Sequence, residues 1–392
     1  MTFAPPESVD VVIIGGGVVG CSTAFHLAEA GQRVLLVEQS AIASGSSSKA
    51  AGGVRACFSD PVNVAIGKRS LSLLADFGTR PGGEIDLHRV GYLFLCTTAA
   101  QIEEFGAAVE VHNSLGVRSS MIDVEQVHQL SPLANVNDVV GGCWSPDDGT
   151  CTPEAVVQAY AAGARRNGAV LLTNTTFVGA DVRDGQVRSV EIRCGDESAH
   201  VATSTVVIAA GAWSKSVGDV FGVDLPVEPL RREIIVTGPI PDVDPALVAR
   251  SPMTIDAAST FYFHSEGRGV LAGFSDPSVQ PGFDLTRDPS YLEKLVELAA
   301  HRAPALINAE VTGGWAGYYE VSPDHDGIVG EAVGISRVLY ATGFSGHGFL
   351  QGPAIGEILR DLILGREPLI DIAPLSNDRF STGRRRDERH LV

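Results

Sequence analysis

An apolar run over residues 9–14 passes directly into IIGGGVVG, in which Gly15, Gly17 and Gly20 stand at the GxGxxG spacing. No other stretch narrows the fold as much. The run is β-branched and does not alternate with polar residues, as suits a strand covered on both faces of a parallel sheet. Residues 18–30 then read as a helix, Gly31 stops it, and RVLLVE at 33–38 reads as a second buried strand. The glycine spacing alone is a weak signal. Strand, turn, helix, second strand and closing acid together make a βαβ dinucleotide fingerprint. Gly15 permits the tight turn, Gly17 lets the backbone approach a pyrophosphate, and Gly20 lets helix and strand pack closely. Val18 and Val19 open the helix, whose free N–H groups and positive dipole end face the anion. Glu38, followed by Gln39, can accept hydrogen bonds from ribose hydroxyls and repels a 2′-phosphate. NAD and FAD share this motif, so it leaves the cofactor open.

The later runs TVVIA (205–209) and VLYA (338–341) are apolar in the same way and end in small residues. A parallel sheet built from the first, middle and last parts of the chain implies that the intervening segments form a second domain. Those segments carry short aromatic-rich strands at 89–96, 234–236, 260–264 and 269–274 and helices at 99–115 and 290–302, an α+β mixture with an antiparallel sheet. The expected fold is therefore α/β: a Rossmann-type domain (1–85, 150–225, 325–375) interleaved with an α+β substrate domain (86–149, 226–324). RRRDERHLV and the residues just before it (376–392) read as a solvated charged tail.

The net charge of −18 over 392 residues excludes a general binder of nucleic acid or anionic lipid, which needs surplus Lys and Arg. Six cysteines without a CxxC pair predict neither a zinc site nor a disulfide framework, and no metal is assigned. No apolar segment is long enough for a membrane span, and residues 1–10 lack the pattern of a secretory signal. A cytoplasmic protein is expected.

Residues 44–55 are a run of serines and glycines ending in Arg55, too small and polar to make core. A second glycine loop, with Gly343, Gly346 and Gly348, precedes a helix expected over 353–364, whose Ile355, Ile358, Leu359, Leu362 and Ile363 form one stripe. IIGGGVVG (13–20), ASGSSSKAAGGVR (43–55), VVIAAGAWS (206–214), GYYEVSPDHDGIVG (317–330) and YATGFSGHGFLQGPAIGE (340–357) follow in an order that resembles the D-amino-acid oxidase superfamily of FAD-dependent oxidoreductases. Within it the chain is similar to the sarcosine oxidase (β-subunit-like) and glycine oxidase group.

The resemblance implies FAD, held by Ser46, Ser47, Ser48 and Gly53, by Gly211 and Trp213, and by the backbone of Val178. It also implies contacts from Gly317 and Tyr318 and from Gly343, Gly346, His347, Gly348, Phe349, Leu350 and Gln351. A helix start beside the flavin ring supplies positive potential where charge gathers on reduction. Arg55 is implied as the fork for a substrate carboxylate. Tyr262 and Tyr319 are implied as lining residues, and His347 as a flavin-contacting or loop-fixing residue rather than a base. The implied reaction is hydride transfer from the carbon of a C–N bond to flavin N5, giving an imine from a small carboxylated amine or amino acid.

Three departures qualify that picture. Gly317 stands where monomeric sarcosine oxidase attaches its flavin to a cysteine, so no thioether forms there. Leu350 replaces a carboxylate-binding lysine, and Leu271 falls near the place of the lysine credited with activating oxygen. Weak oxygen reactivity follows, with a quinone, a carrier or another subunit as electron acceptor. Oxidation of a 2-hydroxy acid, or service as the FAD-binding subunit of a larger complex, are the alternative readings.

Overall fold

A computed structural model of the chain describes residues 3–384, 386 and 388–390. Its six-stranded sheet runs Ile328–Glu331, Val338–Thr342, Val206–Ile208, Val11–Ile14, Val34–Val37, Val170–Leu172 across the layer. Every neighbouring pair is parallel except the first, which is antiparallel. The strands are short and, apart from the half-buried edge strand Val170–Leu172, buried throughout their apolar stretches because helices cover one face and a three-stranded antiparallel sheet (Thr176–Arg183, Gln186–Cys194, Glu197–Ala202) lies against the other. The expected βαβ unit is present, with its helix at Val18–Glu29.

An eight-stranded mixed sheet forms the second layer system, ordered Val311–Val321, Glu228–Thr237, Gly269–Gly273, Tyr262–Glu266, Met253–Asp256, Tyr92–Cys96, Gly141–Ser145, Ser120–Ile122. Most of its pairings are antiparallel; Met253–Asp256 and Tyr92–Cys96 run parallel. Its strands fall within 92–145 and 228–321, the segments between the pieces of the parallel sheet.

Two expectations need correction. The helix predicted over 353–364 begins earlier, at Gly348, and runs to Ile363 with Pro353 inside it. Its glycine-rich opening reads as loop because glycine is a poor helix former. Here the glycines allow close packing: a Cβ on Gly352 would sit 2.7 Å from the Val18 side chain, and one on Gly356 would overlap Ser22. Helix Gly348–Ile363 thus rests directly on helix Val18–Glu29, and Ser22 Oγ donates to the Pro353 carbonyl at 3.2 Å.

The second correction concerns the run 376–392, in which Arg379, Glu388 and His390 fold back onto the body. Arg379, Glu388 and His390 are 4%, 0% and 3% exposed. A buried charge is tolerable only when paired or hydrogen-bonded, and these have partners. Arg379 holds Asp324 through Nε at 2.7 Å, and the Glu388 carboxylate accepts from Ser59 N, Ser59 Oγ and Asn63 Nδ2 at 2.9, 2.8 and 3.0 Å. Arg385, Asp387, Leu391 and Val392 of that run lie outside the described residues.

Candidate active site and cofactor cleft

A continuous cavity of about 430 Å³ runs from the carboxyl ends of the parallel strands to the face of the eight-stranded sheet. That is where a doubly wound sheet binds ligands, at the switch in strand order. At one end lie Gly15, Gly17 and Val18. Gly15 takes φ +113°, and a Cβ there would overlap the Ala209 carbonyl; a Cβ on Gly20 would overlap Gly15 O. The helix Val18–Glu29 has no acid in its first turn, and the Val18 N–H donates to Ser47 Oγ at 3.0 Å. Glu38 is fixed at the strand end by accepting from Gly16 N at 2.7 Å and Ser40 N at 2.8 Å.

The opposite end is a chamber floored by the larger sheet. Tyr92, Met253, Ile255, Tyr262, Arg232 and Tyr319 line it, with Arg55 and His347 at its side. Each tyrosine lies across a glycine from another segment. A Cβ on Gly53 would overlap the Tyr92 hydroxyl, one on Gly346 would overlap the Tyr319 ring, and one on Gly273 would come within 2.6 Å of the Tyr262 hydroxyl. Burial pushes the hydroxyls of Tyr92 and Tyr262 well up, and that of Tyr319 up, so all three stay neutral.

Arg55 is 3% exposed and its guanidinium lies 4.3 Å from the Phe58 ring. It donates to the carbonyls of Cys57 (2.7 Å) and His390 (2.5 Å), and its NH2 lies 3.2 Å from His347 Nε2. Burial, then the Arg55 charge, hold His347 down at about 3, so the neutral ring accepts from the guanidinium. His347 thus sits as a neutral partner against the Arg55 guanidinium. Between the two ends, burial pushes the Glu320 carboxyl up to about 7, against the pull of its hydrogen bond with Ser46.

Of the residues implied in the sequence, Gly15, Gly17, Val18, Val19, Glu38, Gln39, Ser46, Ser47, Gly53, Arg55, Gly211, Trp213, Tyr262, Gly317, Tyr318, Tyr319, Gly346, His347, Gly348, Phe349 and Leu350 line this one cavity. Gly20, Ser48, Val178, Gly343 and Gln351 do not. Gly20 packs helix against turn. The Ser48 N–H is taken by Ala43 O at 3.2 Å, and Gln351 turns to Asn63 Oδ1 at 3.2 Å. Val178 belongs to the three-stranded sheet, and Thr175, Thr176 and Phe177 before it reach the cavity instead. Arg232, Tyr92 and Glu320 were not singled out. Strand alternation around Ile234 could have turned Arg232 inward, but only once the buried face was known.

A long cleft lined by two neighbouring helix starts, Val18 and Gly348, and by glycine backbone where a Cβ would intrude fits an elongated anionic dinucleotide. Gly317, on which a Cβ would lie 2.5 Å from Lys49 Cβ, offers no attachment atom.

Residues 10–362 match the family described as FAD dependent oxidoreductase (DAO). The chain is 33% identical over 402 residues to mitochondrial dimethylglycine dehydrogenase of Mus musculus, covering 96% of this chain and 45% of that protein. It thus spans under half the length of this curated relative. Among solved structures it is similar to L-proline dehydrogenase from P. horikoshii (TM-score 0.90, 30% identity, covering 97% of this chain and 99% of that one). It is also similar to glycine oxidase from Geobacillus kaustophilus (TM-score 0.83, 26% identity, 95% and 98% covered).

Proposed function

The chain belongs to the FAD dependent oxidoreductase (DAO) family, and on that premise we propose that it oxidises the C–N bond of a small carboxylated amine or amino acid. The observation that carries this reading is the joining, in one cavity, of the fingerprint end to a chamber holding Arg55. The names of its relatives, a dimethylglycine dehydrogenase, an L-proline dehydrogenase and a glycine oxidase, point to the same class of bond. Bound FAD supplies the two-electron acceptor that takes a hydride from the carbon beside nitrogen. The residues of the chain bind and orient. Gly15, Gly17 and the helix Val18–Glu29 receive the pyrophosphate, Glu38 the ribose, and the start of helix Gly348–Ile363 the flavin end. Arg55, steadied by His347 and the His390 carbonyl, holds a carboxylate in its planar fork. The neutral tyrosines wall off water. Segments carrying the parallel sheet form the FAD domain, and those carrying the eight-stranded sheet the substrate domain.

The test is an anaerobic screen of N-methyl amino acids, cyclic imino acids, primary amino acids and matched 2-hydroxy acids, read as bleaching of the flavin band. Amino compounds should bleach it and hydroxy acids should not. Bleaching by hydroxy acids alone would overturn the reading.

Among the described residues the cations lining the cavity are Lys49, Arg55 and Arg232, while Leu271 is buried in the larger sheet, 2% exposed. Reoxidation of the reduced enzyme by air should be slower than turnover with an added quinone-type acceptor, because Leu271 stands where the family resemblance puts the oxygen-activating lysine. Stopped-flow reoxidation as fast as turnover contradicts this, and with it the assignment of a quinone, carrier or partner subunit as acceptor. No described helix is long and apolar enough to cross a membrane. The free thiols of Cys21, Cys57, Cys96, Cys143, Cys151 and Cys194 suit a reducing compartment such as the cytoplasm.

A further inference from the structure

The two most buried arginines away from the cavity are each matched by carboxylates. Arg302, 1% exposed, holds Asp256 and Asp138 at 2.8 Å each, and Arg379 holds Asp324. The two arginines that line the cavity have no such match among the described residues. Arg55 is held by carbonyls and a neutral histidine. Among the described residues Arg232 donates to the carbonyls of Arg231 at 3.3 Å and Asp276 at 3.4 Å, and its Nε is buried with no hydrogen-bond partner among them. The carboxylates beside it are committed elsewhere: Glu233 to Arg231 (3.3 Å) and Arg287 (3.5 Å), Asp276 to Lys294 (2.7 Å). Its guanidinium carbon lies 5.5 Å from the Tyr319 ring centre, and Tyr319 also feels the charge of Arg55. Burial pulls the Arg232 pKa down, the opposite of the carboxylate-matched Arg302. A partly buried cation held only by long bonds to carbonyls is a standing penalty that an incoming anion removes.

We propose that Arg232 is a second anion anchor of the substrate chamber, and that the preferred substrate is an amine or amino acid bearing two carboxylates, one for Arg55 and one for Arg232. This rests on the reading of the chamber as the place where a carboxylated amine is oxidised.

The test uses inert ligands, so that binding is read apart from turnover. Holoenzyme is titrated with acetate, propionate and butyrate and with malonate, succinate and glutarate, following the shift of the flavin band. The best diacid should bind about tenfold or more tighter than its monoacid counterpart, the size of one added charge-assisted contact. Arg232→Gln should reduce that preference to about threefold or less while changing monoacid affinity by less than about threefold, and Arg232→Lys should restore part of it. Diacids binding no tighter than monoacids in the wild type would overturn the proposal without needing any variant. So would an Arg232→Gln enzyme with full flavin that weakens both series alike. If diacids bind selectively but no amine bleaches the flavin, the anchor stands and the C–N reading falls. If monocarboxylic amino acids bleach it and diacids show no preference, the reverse holds.

Discussion

Gly20→Val should yield protein that purifies without flavin and unfolds early. The Cβ of any larger residue would overlap Gly15 O and reach within 3.4 Å of Ile13 Cγ2. Gly15 is held in the tight turn at φ +113°, its N–H bonded to Val37 O at 2.9 Å. Relief requires parting helix Val18–Glu29 from the strand Val11–Ile14, which dismantles the pyrophosphate cradle. Overpacking of this kind costs about 3 kcal/mol or more when backbone has to move. The flavin-to-protein absorbance ratio and a urea unfolding curve measure both effects. Gly31→Ala is the control: its φ of +84° makes it a strained position, yet no atom lies within 4 Å of the added Cβ. It should lose only about 1–2 kcal/mol and stay yellow. A fully flavinylated Gly20→Val protein with unaltered stability would show that the close approach is dispensable.

Arg379→Ala should destabilise the fold by about 3–5 kcal/mol, the range for stranding one member of a buried ion pair. Asp324 and Arg379 are 1% and 3% exposed at their side chains, and Arg379 also donates to the carbonyls of Asp326 at 3.0 Å and Leu375 at 2.6 Å. The loss should reach the chamber too, because the chain beyond Arg379 carries Glu388 and the His390 carbonyl that braces Arg55. Carboxylate binding should weaken along with stability. Burial pushes the Asp324 carboxyl up, but its bond to Arg379 pulls it further down, and the net shift is downward. A lowered carboxylate pKa stabilises above the unfolded value, about 3.9, and that contribution is lost as pH falls through the folded value. The wild type should thus be more acid-sensitive than a double Asp324→Asn, Arg379→Met variant over that range. Equal denaturation midpoints for wild type and Arg379→Ala would refute the pair's structural role.

Much of this was legible in the sequence, for physical reasons that differ by element. The strand Val11–Ile14 and the glycines after it announce themselves because a buried parallel strand, a tight turn and a helix entry each demand particular residues within a short stretch. The cavity lining from Gly346 to Leu350 was likewise marked by glycines needed where backbone meets a ligand. The helix start at Gly348 was hidden because its packing partner, Val18, is over three hundred residues away in the chain. The C-terminal run looked solvated because charge usually is. Its partners, Asp324 and Asn63, are 55 and 325 residues distant from the residues they bind. Arg232 escaped notice because alternation along Glu228–Thr237 gains meaning only when that strand pairs Arg232 with Gly317 and turns the same face toward the chamber.

The glycine–tyrosine contacts at the chamber wall carry a consequence for how such an enzyme could diverge. The reach of each ring is set by a glycine on another segment, so enlarging residue 53, 273 or 346 is tolerable only with a smaller partner at 92, 262 or 319. Retailoring the space around a substrate would then proceed by compensated double changes, each restoring contact at one wall while leaving the other walls and the cofactor end undisturbed.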